Sequence, residues 1–299
     1  MGVITTGSNP KALWPGMNAW YGRDYNEHQV EFTDLFDMDT SRQNYEEDGE
    51  VTGFGLAPVK AQGTSTSYDS ETQGTISRYT HVAYSLGFIV TREELDDNLY
   101  EKVGKRRAKA LAFSFRQTKE NVGANVYNRA FNSSYVGGDG VELLSTAHPC
   151  VSGNQSNHIA TAADLSEASL EDLTIQMMGA TNSRGLKINL MPKSLIVARQ
   201  NWYEANRILK STLQSGTANN DINVLKATNA IPDGIKMNHY LTDADAWFLR
   251  SNVGDGLKCF ERVANTFSDD NDFDTDNLKY KGYERYSFGW SDWRSGNLV

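Results

Sequence analysis

The longest hydrophobic pattern in the chain has a helical period. Between residues 92 and 132, Leu95, Leu99, Val103, Leu111, Phe115, Val122 and Val126 recur mostly at steps of three or four, or their sums. That spacing places them near one stripe of an amphipathic helix. Thr91 precedes the run and Glu94 follows three residues later, so the entry reads as a capping box. No proline interrupts the run; Gly104 and Gly123 weaken it, and Gly104 predicts a bend. Forty-one residues, rising about 1.5 Å each, span roughly 60 Å. The rest of one chain cannot cover so long a stripe, so part of it is expected to meet other copies.

Period-two patterns flank this helix. Residues 278–293 predict a half-buried strand, with Leu278, Tyr280, Tyr286, Phe288 and Trp290 on one face and Lys279, Lys281, Arg285 and Ser287 on the other. Residues 51–90 predict a hairpin. It goes out over 51–59, turns through polar stretches at 63–69 and 73–75, and returns over 79–90 directly into the helix. Its Gly, Ser and Thr content predicts that 51–80 is ordered only against a neighbour. After a loop-rich region at 132–162, a helix is predicted over 170–178, capped by Ser169 and burying Leu170, Leu173, Met177 and Ala180. Strands at 186–190 and 194–197 flank Pro192. A helix at 200–211 turns Trp202, Ala205, Ile208 and Leu209 inward, and 216–221 is a loop. Short strands near 222–225, 235–241, 246–250 and 257–263 complete an α+β body. Residues 1–50 show little sustained periodicity and read as an extended arm. The run Phe32, Leu35, Phe36 reads as one helical turn or a docking point.

Charge sharpens this picture. The arm carries three basic against ten acidic residues, a balance of −7; the long helix carries nine against six, a balance of +3; the whole chain stands at −9. The complementarity predicts an arm lying along a spine helix, its own or a neighbour's. Asp34, Asp37 and Asp39 would then lie near Lys105, Arg106 and Arg107, while Phe32, Leu35 and Phe36 supply burial. The same basic cluster also reads as a solvated face or as a surface for DNA. The total of −9 argues against a protein that wraps nucleic acid, and suits one that lies beside it without adhering.

Catalytic chemistry is hard to find. There is no phosphate loop, H-E-x-x-H, G-x-S-x-G or paired C-x-x-C frame, so no catalytic residues, metal ligands or cofactors are expected. His148 and Cys150 are two residues apart and His158 completes no ligand spacing, so His148 reads as a turn histidine. The acidic run 269–276 has Thr275 where a calcium loop needs glycine and Lys281 where it needs glutamate, so it reads as a solvated loop. No run approaches 18 apolar residues, so no membrane span is expected; no secretory signal is visible, and two cysteines suit a reducing compartment.

Several strings, in order, carry a resemblance. They are Gly55-Leu56-Ala57-Pro58-Val59-Lys60 with Tyr68-Asp69, and Tyr84-Ser85-Leu86-Gly87-Phe88-Ile89-Val90 entering the helix. Then come Leu144-Ser145-Thr146-Ala147-His148-Pro149, Ala163-Asp164-Leu165-Ser166-Glu167, and Glu284-Arg285-Tyr286-Ser287-Phe288-Gly289-Trp290. With the order of parts, they make the chain resemble the major capsid proteins of tailed bacteriophages, in the Hong Kong phage-type fold. The resemblance implies an α+β fold with an N-terminal arm (1–50) and an extended β-hairpin loop (51–80). A peripheral domain would comprise 81–178, with the spine helix 92–132, and 253–299, and an axial domain 179–252. It implies a structural protein, not an enzyme, that self-assembles as hexamers and pentamers of an icosahedral shell enclosing double-stranded DNA. The implied location is the virion capsid, assembled in the host cytoplasm. Implied partners are other copies of the chain, a portal protein and DNA bound without sequence specificity, with no membrane. The short arm further implies a separate scaffolding protein. Lys60 is the only lysine in 51–90, and some relatives cross-link this loop through a lysine. The expected inter-subunit contacts are Phe32, Asp34, Leu35, Phe36, Asp37, Lys60, Tyr68, Lys105, Arg106 and Arg107. Two alternatives stand beside this reading: a bacterial nanocompartment shell protein enclosing an enzyme, and a soluble α+β enzyme or binding module.

Overall fold

The computed structural model describes residues 14–97, 100–159, 161–214, 221–272 and 274–298. In chain order the first elements are α1 (Trp14–Glu27), α2 (Phe32–Leu35), β1 (Asp37–Thr40), β2 (Tyr45–Val51), β3 (Gln73–Thr80) and β4 (Val82–Val90). Helices α3 (Arg92–Asp96), α4 (Tyr100–Asn128) and α5 (Glu167–Met178) follow, then β5 (Pro192–Ala198), α6 (Trp202–Lys210), α7 (Val224–Ala227) and β6 (Ile235–Asn238). The chain closes with β7 (Trp247–Ser251), β8 (Leu257–Asn271), β9 (Leu278–Trp290) and β10 (Gly296–Leu298).

One four-stranded sheet, in the order β1-β8-β9-β4, is built on the long β8–β9 hairpin. Helix α4 crosses it. Leu278, Tyr280 and Tyr286 face inward from β9, as the alternation predicts. Between them on the same face stand two residues the alternation leaves unexplained, Gly282 and Glu284. A Cβ at Gly282 would lie 2.3 Å from the Phe115 ring, so glycine here lets α4 seat its phenyl directly on the strand. The second sheet runs β10-β7-β5-β6. Its core joins Leu195, Val197, Trp247 and Leu249 to Leu170, Leu173 and Met177 of α5 and to Ala205 and Ile208 of α6. The two-stranded ribbon β2–β3 forms a separate ladder whose base packs on the first sheet.

Several expectations are corrected. The arm is not extended over 14–27, while residues 1–13 lie outside the described residues: α1 packs along α4, with Met17 and Tyr21 buried one helical turn apart against Ala108, Leu111, Ala112 and Phe115. The helical run ends at Asn128, and residues 98 and 99 lie outside the described residues. Its buried stripe is Gly104, Ala108, Leu111, Ala112, Phe115, Arg116, Lys119, Glu120, Gly123, Ala124 and Tyr127, while Val103, Val122 and Val126 are half-buried. Its own chain covers that stripe. Gly104 and Gly123 work as seats in it: Met17 lies over the first, Phe32 and Phe288 over the second. Helix α5 starts earlier than expected, because Ser166 is the N-cap and Ser169 the third residue of a reciprocal capping box. It also packs on the second sheet, although it precedes the expected boundary at 179, and β10 carries the C-terminal end back to that sheet. Residues 186–190 are not a strand, and 224–227 form a helical turn where a strand was expected. The outgoing strand of the hairpin is 45–51, not 51–59, so the ribbon begins inside the expected arm.

Candidate assembly surfaces

The arm rests on a charged floor. Arg116 donates to the Tyr25 carbonyl oxygen (3.0 Å) and lies 4.0 Å over the Tyr25 ring. Lys119 pairs with Glu261 at 2.5 Å and sits 5.1 Å from the ring centroids of both Phe32 and Tyr286. The Glu120 carboxylate accepts the backbone N–H groups of Glu31 and Phe32, each at 2.9 Å, at the start of α2. Those N–H groups have no intrahelical partner, so Glu120 does for α2 what a capping side chain does. Glu284 accepts from Tyr25 (3.3 Å) and Asn265 (3.2 Å), and Asn265 in turn accepts from Tyr21 (2.7 Å). Burial pushes the carboxyls of Glu120 and Glu284 above the usual range, and their hydrogen bonds and nearby cations offset this only in part.

The ribbon leaves from an equally fixed base. Asp48 of β2 accepts from Lys258 (2.8 Å) and Ser291 (2.6 Å), and Tyr79 of β3 shares a 2.6 Å hydrogen bond with Ser291. Burial acts to raise the Asp48 carboxyl, but the Lys258 and Ser291 hydrogen bonds outweigh it and hold it low. Beyond the strands, Thr52 and Thr72 close the neck through four hydrogen bonds of 3.0–3.1 Å. Past the neck the chain is exposed: Leu56 is 83 %, Tyr68 91 % and Val59 100 % accessible. Large apolar side chains this open on one loop mark a candidate partner surface.

Sequence-predicted contact residues fall into three groups. Phe32, Leu35 and Phe36 are buried inside their own chain; Phe36 packs on Tyr127 and Phe288, and the Leu35 carbonyl accepts from the Tyr127 hydroxyl. The burial they supply is therefore intramolecular, and on the chain's own spine. Asp34 and Asp37 do not meet the basic cluster. Asp34 pairs with Lys236 (2.9 Å) and Asp37 with Arg250 (2.8 Å), while Asp39 is exposed on β1. Arg107 pairs instead with Glu94 (2.7 and 2.8 Å) beside the Thr91–Glu94 capping box, Lys105 lies 5.7 Å from the Trp20 ring, and Arg106 is exposed. Lys60 and Tyr68 stand free on the loop. Sequence reading missed the buried charges Arg116, Lys119, Glu120 and Glu284; the signal was their position on the helical and strand periods, regardless of polarity.

His148 is buried, its Nδ1 2.6 Å from the Asp139 carboxylate and its ring stacked 4.2 Å from Trp293. Among the described residues no cluster of His, Cys, Asp or Glu could hold a metal ion, and no helix is long and apolar enough to cross a membrane.

A spine helix laid across a long hairpin sheet, a second sheet-and-helix body and a projecting ribbon together define a shell-forming subunit. The family model described as phage capsid protein matches residues 74–296, about three quarters of the chain. The chain belongs to that family of phage capsid proteins. No curated protein matches it. Solved structures show the same fold at low identity. The virus-like particle protein from Pyrococcus furiosus is 11% identical, with a TM-score of 0.58, covering 95% of this chain and 98% of that one. The capsid of the native GTA particle is 10% identical, with a TM-score of 0.56, covering 100% and 91%. The procapsid of bacteriophage JBD30 is 12% identical, with a TM-score of 0.53, covering 99% and 76%.

Proposed function

We propose that the chain assembles as pentamers and hexamers into an icosahedral shell around double-stranded DNA held without sequence specificity. The observation that carries the reading is the open loop, where Leu56, Val59 and Tyr68 project from a braced ribbon with nothing of their own chain over them. Burying them against the next subunit gives each copy a hydrophobic reason to associate. Lys60 and Tyr68 then contact the neighbour, and Lys105 and Arg106 face either the neighbour or the packaged DNA. The body carrying the second sheet lies at the symmetry axes. The protein acts as a building block and not as an enzyme. It assembles in the host cytoplasm with a separate scaffolding protein and a portal.

Electron microscopy of the chain co-expressed with its scaffolding protein tests this. Closed shells are expected, and nuclease-resistant DNA inside them only when the portal and its packaging machinery are also present. An enzyme cargo without DNA favours the nanocompartment, and a small discrete species on sizing overturns the shell. Leu56→Asp combined with Val59→Asp should leave subunit melting unchanged and abolish shells, since neither side chain has an intramolecular partner to lose.

A further inference from the structure

The loop that makes the ribbon reach outward is not left to a neighbour for its direction. Asp69 ties its two limbs together: Oδ2 accepts the Gly55 N–H and Oδ1 the Ser70 N–H, each at 2.8 Å. The same Oδ2 accepts from Arg184 Nη1 at 2.9 Å, and Arg184 Nη2 donates to the Ser70 carbonyl oxygen. Arg184 thus holds the returning limb with both ends of its guanidinium fork, a geometry that fixes direction as well as distance.

The other end of this contact is rigid. Arg184 sits in a turn whose Asn182 Oδ1 accepts from both Arg184 N (3.0 Å) and Leu186 N (2.9 Å). Gly185 has φ +82°, a left-handed conformation that favours glycine, and its α-carbon is close enough to Ser152 that a Cβ would lie 3.2 Å away. The turn is pinned to the body by Ser152 N donating to the Ser183 carbonyl (2.9 Å).

We propose that Arg184 is the positioning residue of the extended loop: its clasp on Asp69 and Ser70 sets the angle at which the loop leaves the subunit, and so which surface of the next copy the tip meets. This rests on the shell reading above. A loop whose ends are tied before contact loses less freedom on docking, so the clasp raises the rate and fidelity of assembly while adding little to subunit stability.

The test uses the full chain in two states. In unassembled subunits, Arg184→Ala should leave the melting temperature and circular dichroism unchanged, and speed hydrogen exchange at 53–57 and 69–72 at least tenfold, with 45–51 and 73–80 still protected. In assembly with scaffolding protein, the yield of shells of wild-type diameter should fall at least tenfold, replaced by free capsomers or shells of mixed size. Arg184→Lys keeps the charge without the fork and should fall between. Asp69→Asn removes the charge that faces Arg184 and one of the two acceptor oxygens, so it loosens the arginine contact together with one of the backbone bonds to Gly55 and Ser70, and it repeats the test on the loop if Arg184→Ala is insoluble. Unchanged exchange in the loop, or wild-type shells at wild-type yield, overturns the proposal. If the wild-type chain itself makes no shells, the shell reading fails, while the exchange measurement still decides whether Arg184 holds the loop.

Discussion

Replacing Glu120 with alanine should unfasten the arm from the spine. The carboxylate accepts two backbone N–H groups, from Glu31 and Phe32, and among the described residues neither donates to another acceptor. The Phe32 N–H is buried, and leaving such a donor unsatisfied costs about 1–3 kcal/mol. The Glu31 N–H is nearer water, so its loss costs about 0.5–1.5 kcal/mol. Relief of the buried charge works the other way, because burial already pushes this carboxyl toward its neutral form. The net loss is about 1–4 kcal/mol. At an unfolding entropy of about 2.1 cal/mol/K per residue, a chain of 299 residues melts roughly 2–6 °C lower. Calorimetry of unassembled subunits reads that shift, and hydrogen exchange locates it: amides from 21 to 36 should exchange roughly tenfold faster, because local opening of the arm becomes easier. Glu120→Gln keeps one acceptor oxygen and should lose about half as much. A Glu120→Ala subunit that melts and exchanges like wild type refutes the clamp.

Two further outcomes follow from the same interface. Gly282→Ala puts a methyl group 2.3 Å from the Phe115 ring and should cost about 1–3 kcal/mol by overpacking, read as a lower melting temperature that Phe115→Leu partly restores; no loss in the single variant removes the close-contact argument. Glu284 has a folded-state pKa raised by burial, so its contribution to stability is full below the ordinary glutamate value, about 4.3, and is lost as pH rises through the raised value. The melting temperature of Glu284→Gln minus that of wild type should therefore rise with pH from about 4.3 up to the raised value and level off above it, and a difference that stays flat throughout refutes the assignment.

What the sequence disclosed depended on how each element hides its water-avoiding face. Leu111 and Phe115 on the spine, the Thr91–Glu94 capping box and the alternation of Leu278, Tyr280 and Tyr286 were legible, because apolar side chains mark those faces openly. Helix α1 was not: its buried face is Met17, Tyr21 and Asp24, with half-buried Tyr25, and three of those four carry polar atoms. Asp34 with Lys236 and Asp37 with Arg250 were out of reach for another reason. Each pair joins residues more than two hundred positions apart, and charge balance between segments cannot choose among cations that only the fold brings near. The loop's openness was legible in its composition, but its bracing was not, since Thr52–Thr72 and Asp69–Arg184 are single contacts without a repeating pattern.

The charged floor beneath the arm has a consequence that an apolar floor would not. Phe32, Leu35 and Phe36 bury well, yet aromatic and aliphatic contacts tolerate sliding, because one apolar neighbour serves nearly as well as the next. Glu120, Lys119 and Arg116 do not tolerate it. A slip of one residue takes the Glu31 and Phe32 N–H groups from Glu120 and the Tyr25 carbonyl from Arg116, leaving buried charge without its hydrogen bonds, which costs several kcal/mol. Register fixed there is carried forward. Strand β1 begins two residues after α2 and pairs in parallel with β8, Asp37 opposite Lys258, and the same Lys258 holds Asp48 at the foot of the ribbon. The polar seat under the arm therefore fixes where the ribbon starts, and the ribbon carries the surface that the next subunit meets.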